Sequence, residues 1–81
     1  MHVTVRLFAR LREIARGGEL VRDVDAIATV GTVWASLVRD FPDLEPYGSS
    51  ISAAVNAEYA RMSAPVHDGD EVAFLPPVSG G

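Results

Sequence analysis

The chain has no cysteine among its 81 residues. That excludes a disulfide staple, a thiolate metal site and a cysteine nucleophile, and it suits a reducing, cytoplasmic setting. Lysine is missing as well: all seven cations are arginine. An acyl group activated on this protein therefore meets no lysine amine on its own surface. No apolar run approaches the roughly 20 residues that a membrane span needs. The opening Met1-His2-Val3-Thr4-Val5-Arg6 lacks the basic region and unbroken apolar stretch of a secretory leader, so neither a membrane nor a leader is expected. A net charge of −4, with the arginines spread along the chain, argues against nucleic acid as a partner. The two histidines, His2 and His67, lie far apart without metal-ligand spacing and read as surface residues, so no metal is expected. Ser49, Ser50, Ser52 and Ser79 have no adjacent base to make a nucleophile of them. No glycine-rich phosphate loop occurs.

What is present is one small domain, which at this length buries only about 60% of the surface its unfolded chain exposes. Val3, Val5 and Leu7 alternate with Thr4, Arg6 and Phe8, predicting a first strand with one apolar face. Ala9 to Arg16 reads as a helix, with Leu11, Ile14 and Ala15 on one side and Gly17-Gly18 as its stop. Glu19 to Ala26 is expected to return as a second strand beside the first, with Arg22 interrupting its apolar face. Thr32 is the expected cap of a second helix, in which Trp34, Leu37, Val38 and Phe41 fall on one stripe until Pro42 ends it. Asp43 to Ser50 reads as a loop. Ile51, Ala53 and Val55 alternate as a short strand, Asn56-Ala57-Glu58 as a turn, and Tyr59 to Met62 as a short return strand. Asp68-Gly69 is a turn ahead of a last strand, Glu71 to Leu75. Asp68, Asp70 and Glu71 read as a solvated turn. The order predicts an α+β domain, its main helix covering a mixed sheet of about five strands. The expected core is Val3, Val5, Leu7, Trp34, Leu37, Val38, Phe41, Val55, Val72 and Phe74.

After Leu75 the composition changes to Pro76-Pro77-Val78-Ser79-Gly80-Gly81. Neither proline can donate to a ladder, so the strand ends there, and two in succession favour an extended path away from the domain. Six residues reach roughly 20 Å when extended. The division expected is a domain over 1–75 and a tail over 76–81, its last residues ordering only on docking. Gly80 and Gly81 carry no side chain, so a carboxylate on such a thread can enter a channel too narrow for a β-carbon. With Val72 and Phe74 pointing inward, period-two geometry sends Ala73 and Leu75 to the other face, beside the tail. They are the expected partner contacts.

The stretch Val66-His67-Asp68-Gly69-Asp70-Glu71-Val72-Ala73-Phe74-Leu75-Pro76-Pro77-Val78-Ser79-Gly80-Gly81 closely resembles the C-terminus of the MoaD/ThiS sulfur-carrier family, in particular small subunits of molybdopterin synthase. Val5-Arg6-Leu7-Phe8-Ala9-Arg10-Leu11-Arg12-Glu13 resembles the first strand and helix of that family, and Ala54-Val55-Asn56 its turn. The resemblance implies a β-grasp, ubiquitin-like fold. It implies that Gly81 is adenylated by an ATP-dependent activating enzyme and then thiocarboxylated by a sulfur donor. Pro76, Pro77, Val78, Ser79 and Gly80 would be the spacer. No cofactor would be bound by the chain itself; ATP would belong to the activating enzyme. Two small subunits would insert their tails into a dimer of large subunits, whose residues convert cyclic pyranopterin monophosphate to molybdopterin. A carrier for thiamin thiazole or cysteine synthesis, and a ubiquitin-like modifier of lysines, stay open beside it. Thiazole carriers are typically shorter and usually lack the first helix and the Pro-Pro pair.

Overall fold

The computed structural model describes residues 1–77; Val78, Ser79, Gly80 and Gly81, with the expectations placed on them, lie outside. Five strands form the main sheet: β1 (His2–Leu7), β2 (Glu19–Asp23), β4 (Ser52–Val55), β5 (Glu58–Ala60) and β7 (Glu71–Leu75). The two-residue strands β3 (Ala28–Thr29) and β6 (Pro65–Val66) pair separately. The helices are α1 (Ala9–Ala15) and α2 (Val30–Asp40), and Pro42–Tyr47 is a 3₁₀ helix. Sheet order is β2-β1-β7-β4-β5. The first and last strands run parallel in the middle, with antiparallel partners outside them. This is the expected α+β, β-grasp arrangement, a mixed sheet packed on its main helix.

The alternation of β1 and β7 carries the core. Val3, Val5, Leu7, Val72 and Phe74 are at most 1% exposed, and Leu37 and Trp34 of α2 pack on the same side. The Trp34 and Phe74 rings lie 5.0 Å apart at 55°, a tilted aromatic pair. Val38, Phe41 and Val55, expected in the core, are half-buried at its margin.

Several boundaries differ from the sequence expectation. The cap of α2 is Thr29, not Thr32: the Thr29 hydroxyl accepts from Thr32 N at 3.2 Å, while Thr32 Oγ1 accepts from Thr29 N at 3.2 Å. The helix therefore starts a turn earlier, and its buried stripe includes Val30 and Val33. Val30 N and Gly31 N donate to Ala64 O and Met62 O at 2.9 and 2.8 Å. That approach favours glycine, since a Cβ at Gly31 would lie 3.2 Å from the Met62 carbonyl, a tight contact. Arg16, left-handed at φ 57, ends α1 one residue before the glycines. The second strand stops at Asp23 rather than Ala26. Arg22 does not simply interrupt its inner face. Its guanidinium donates to Ser36 O at 3.0 Å and pairs with Asp40 at 2.6 Å, clasping the sheet edge to α2. The expected loop at 43–50 instead begins with the 3₁₀ helix, which buries Leu44 completely. Glu58 belongs to β5, not to the turn, and that strand ends at Ala60.

Candidate functional site

The strand that leads to the double glycine is the middle one of the sheet. β7 is held by β1 through Val5↔Val72 and Leu7↔Phe74, and by β4 through Val55↔Val72 and Ala53↔Phe74. Period two then puts Glu71, Ala73 and Leu75 on the face turned away from α2. Ala73 and Leu75 are half-buried there, as is Pro76, while Pro77 is exposed. The expectation of an outward Ala73 and Leu75 beside the departing chain is met, although neighbours already cover part of the leucine.

Those neighbours form the surface through which the chain leaves. One row across the outer face runs Glu19, Arg6, Ala73, Ala54, Tyr59; in the next, Leu75 lies opposite Ser52. Tyr59 is 83% exposed on the edge strand β5. Phe8, the residue after Leu7 and so one position along from the Leu7↔Phe74 pair, is 40% exposed. Arg6 lies loosely between Glu19 at 3.9 Å and Glu71 at 3.7 Å. Exposed pairs at such distances add little stability, so the guanidinium is available to another acid. Open clefts flank the exit. One, of 510 Å³, lies against Ser52, Tyr59, Arg61 and Met62; the other, of 360 Å³, lies against Arg6, Phe8, Arg12 and Glu19.

Sequence reasoning named Ala73 and Leu75 but not Phe8, Tyr59 or Arg6. The signal for Phe8 was present: it is the one aromatic in the outward series Thr4, Arg6, Phe8. Tyr59 gives no such signal, because its neighbourhood exists only once β4 and β5 are paired.

The opposite end of β7 holds the acidic turn. Asp70 Oδ1 accepts from Asn56 Nδ2 at 3.0 Å, and Asp70 Oδ2 accepts from His67 N at 2.8 Å. The Asn56 amide, then the His67 backbone N–H, then the His67 ring hold the Asp70 carboxyl below the usual aspartate range. Asp68 Oδ1 accepts from His2 N at 2.8 Å. These acids are turn fasteners, and among the described residues no group of three or more His, Cys, Asp or Glu side chains is placed to hold a metal ion. Among the described residues, too, no helix is long and apolar enough to cross a membrane.

The chain is similar to known proteins along nearly its whole length. The sequence pattern of the ThiS family matches residues 5–81. The molybdopterin synthase sulfur carrier subunit of Arabidopsis thaliana is 38% identical over 81 residues, spanning 100% of this chain and 84% of that protein. Small archaeal modifier protein 1 of Haloferax volcanii is 42% identical over 85 residues, spanning 94% of this chain and 97% of its own. The crystal structure of SAMP1 from Haloferax volcanii superposes with a TM-score of 0.89 at 37% identity, each chain covered completely.

Proposed function

Because the chain belongs to the ThiS family, we propose that it is the sulfur carrier of a molybdopterin synthase, with a small domain over 1–75 and a working tail over 76–81. The observation that carries this reading is positional. In sequence the double glycine follows Pro76-Pro77, which leave the central strand of the sheet, paired on both sides and carrying Leu75 on its outer face. A root paired on both sides and a terminus of two residues without side chains suit delivery of a carboxylate into another protein's channel. The similarity to the sulfur carrier subunit of Arabidopsis thaliana supports the pathway.

A carboxylate is a poor acyl donor until one oxygen becomes part of a good leaving group. In the proposed sequence the Gly81 carboxylate attacks the α-phosphate of ATP on the activating enzyme, releasing pyrophosphate. A persulfide sulfur of the donor then attacks the acyl carbon and expels AMP. A thiol cleaves the resulting acyl disulfide, leaving the thiocarboxylate and a disulfide. The thiocarboxylate sulfur is next carried to cyclic pyranopterin monophosphate in the large subunit, in a heterotetramer of two small and two large subunits. The chain's own part is to orient and deliver the group, which is catalysis by proximity. ATP serves the activating enzyme, and the chain needs no cofactor of its own.

The test is intact mass after incubation with the activating enzyme, ATP and a sulfur donor. Wild type gains the difference between one sulfur and one oxygen. Deletion of Gly81, or one residue added after it, moves the carboxylate by more than about 3 Å. A misplacement near 1 Å at a reacting centre already costs about 100-fold, so both variants stay unmodified. Thiocarboxylation of an untrimmed, extended chain would overturn the reading. Co-purification with a large subunit that converts the precursor separates this pathway from thiazole or cysteine synthesis.

The likeness to small archaeal modifier protein 1 favours a second reading, in which the activated glycine is passed to a target amine as an amide. The two share the acyl-adenylate and diverge after it. Amide-linked adducts of the chain on other proteins, lost when Gly81 is deleted, would establish the second.

A further inference from the structure

Two local rules are broken side by side where β1 hands over to α1. Phe8 precedes the helix with extended backbone, φ −128 and ψ 155, and has no side-chain oxygen to cap it. Its carbonyl nevertheless accepts from Leu11 N at 3.1 Å and Arg12 N at 3.4 Å. Ala9, the first helical residue, has φ 50. A Cβ disfavours that left-handed conformation, and glycine adopts it freely, as Gly69 does at φ 85 in the turn before β7. Ala9 is exposed, so burial of its methyl group does not explain why alanine stands there. Strain kept without a packing gain points to a role outside the core.

The place suggests the role. Leu7 pairs with Phe74, so Phe8 stands next to Leu75 at the exit of the tail, partly exposed on the outer face. We propose that Ala9 is a positioning residue: its Cβ confines the strand-to-helix pivot and holds the Phe8 ring beside Leu75. Glycine at position 9 relieves the strain but opens further backbone wells to the pivot. The ring then samples several directions, and the cost of ordering it falls on the binding step. This rests on the reading above only in taking the Phe8–Leu75 surface to meet the large subunit.

Ala9→Gly and Ala9→Asn both fit a left-handed residue, but only asparagine keeps the Cβ. Phenylalanine occurs three times, at Phe8, Phe41 and Phe74, so fluorine NMR of the fluorophenylalanine-labelled chain reports each ring. Wild type and Ala9→Asn give a single narrow Phe8 resonance. Ala9→Gly broadens or splits that resonance alone, with the melting temperature held or raised. No partner is needed, so this arm stands apart from the proposed function. In titrations with the co-purified large subunit, Ala9→Gly weakens binding by about threefold to tenfold, Ala9→Asn by less than about twofold, and Ala9→Gly in a Phe8→Ala background has no effect. An unchanged Phe8 resonance in Ala9→Gly overturns the proposal. So does a lowered melting temperature, or a binding loss that persists without Phe8. A mobile Phe8 with unchanged affinity leaves the positioning role standing and removes this surface from the partner interface.

Discussion

The two ends of β7 are built from opposite materials. At its start, polar groups are matched one to one. Gly69 N donates to His2 O at 2.8 Å, Thr4 N to Asp70 O at 2.9 Å, and Asn56 N to Glu71 O at 2.8 Å. Glu71 N donates to Asn56 Oδ1 at 3.0 Å, and the carboxylates of Asp68 and Asp70 take up further backbone donors. At its finish stand Leu75, Pro76 and Pro77, with Phe8 one position beyond the Leu7↔Phe74 pair. One end spends many of its hydrogen-bonding groups on its own turn. The other leaves apolar surface uncovered. A strand held hard at one end can present the other without the sheet loosening.

The strongest way to break this contrast is to cut the strand between its ends. Phe74→Ala removes the ring that packs on Trp34 and is expected to cost about 3–5 kcal/mol, comparable with the whole stability of a small domain. Far-ultraviolet circular dichroism should then show a chain largely unfolded or melting far lower. A milder blow falls on the fastened end. Asn56→Ala loses both side-chain bonds and puts a less tolerant residue at φ 50. We expect about 2 kcal/mol of destabilisation and a melting temperature lower by roughly 10 °C. Loading with sulfur at permissive temperature should be untouched.

The open end responds in the reverse sense. Leu75→Asp should change unfolding free energy by less than about 1 kcal/mol, yet weaken large-subunit binding by about tenfold or more. Unchanged affinity in a calorimetric titration would remove Leu75 from the interface. The smallest effect concerns acid. Asp70 has its folded pKa lowered by the Asn56 amide and the His67 N–H. The stability this contributes is therefore complete above the ordinary aspartate value of about 4 and drains away as pH falls through the lower folded value. Asp70→Asn should narrow its stability gap to wild type across that acid window, while the gap stays constant near neutral pH. A gap independent of pH would assign those bonds no electrostatic share.

Much of this arrangement was legible in the sequence. Period-two alternation over Val3 to Leu7 and Glu71 to Leu75 located the first and last strands and the sides they present, because burial on one face of a sheet writes itself directly into the pattern. The Trp34 stripe located the main helix. Its start was misread because Ala28-Thr29-Val30 is small and β-branched, and two threonines compete for the cap; reciprocal bonding between them decides in favour of Thr29. The 3₁₀ helix at 42–47 hides behind two prolines. That Arg6 and Tyr59 stand in one row with Ala73 could not be read, since strands distant in sequence bring them together.

The topology also governs how the protein comes into being. β7 is last in chain order and central in space, joined in parallel to the first strand across nearly the full length of the chain. Such pairing closes a long loop before any contact rewards it, so folding is expected to be slow for a domain of this size. Until residues 71–75 are free to insert, β1 with β2 and β4 with β5 are two separate strand pairs with nothing to join them. A chain broken before that point cannot complete the domain, and the finished fold thus certifies that synthesis ran through to the strand bearing the tail.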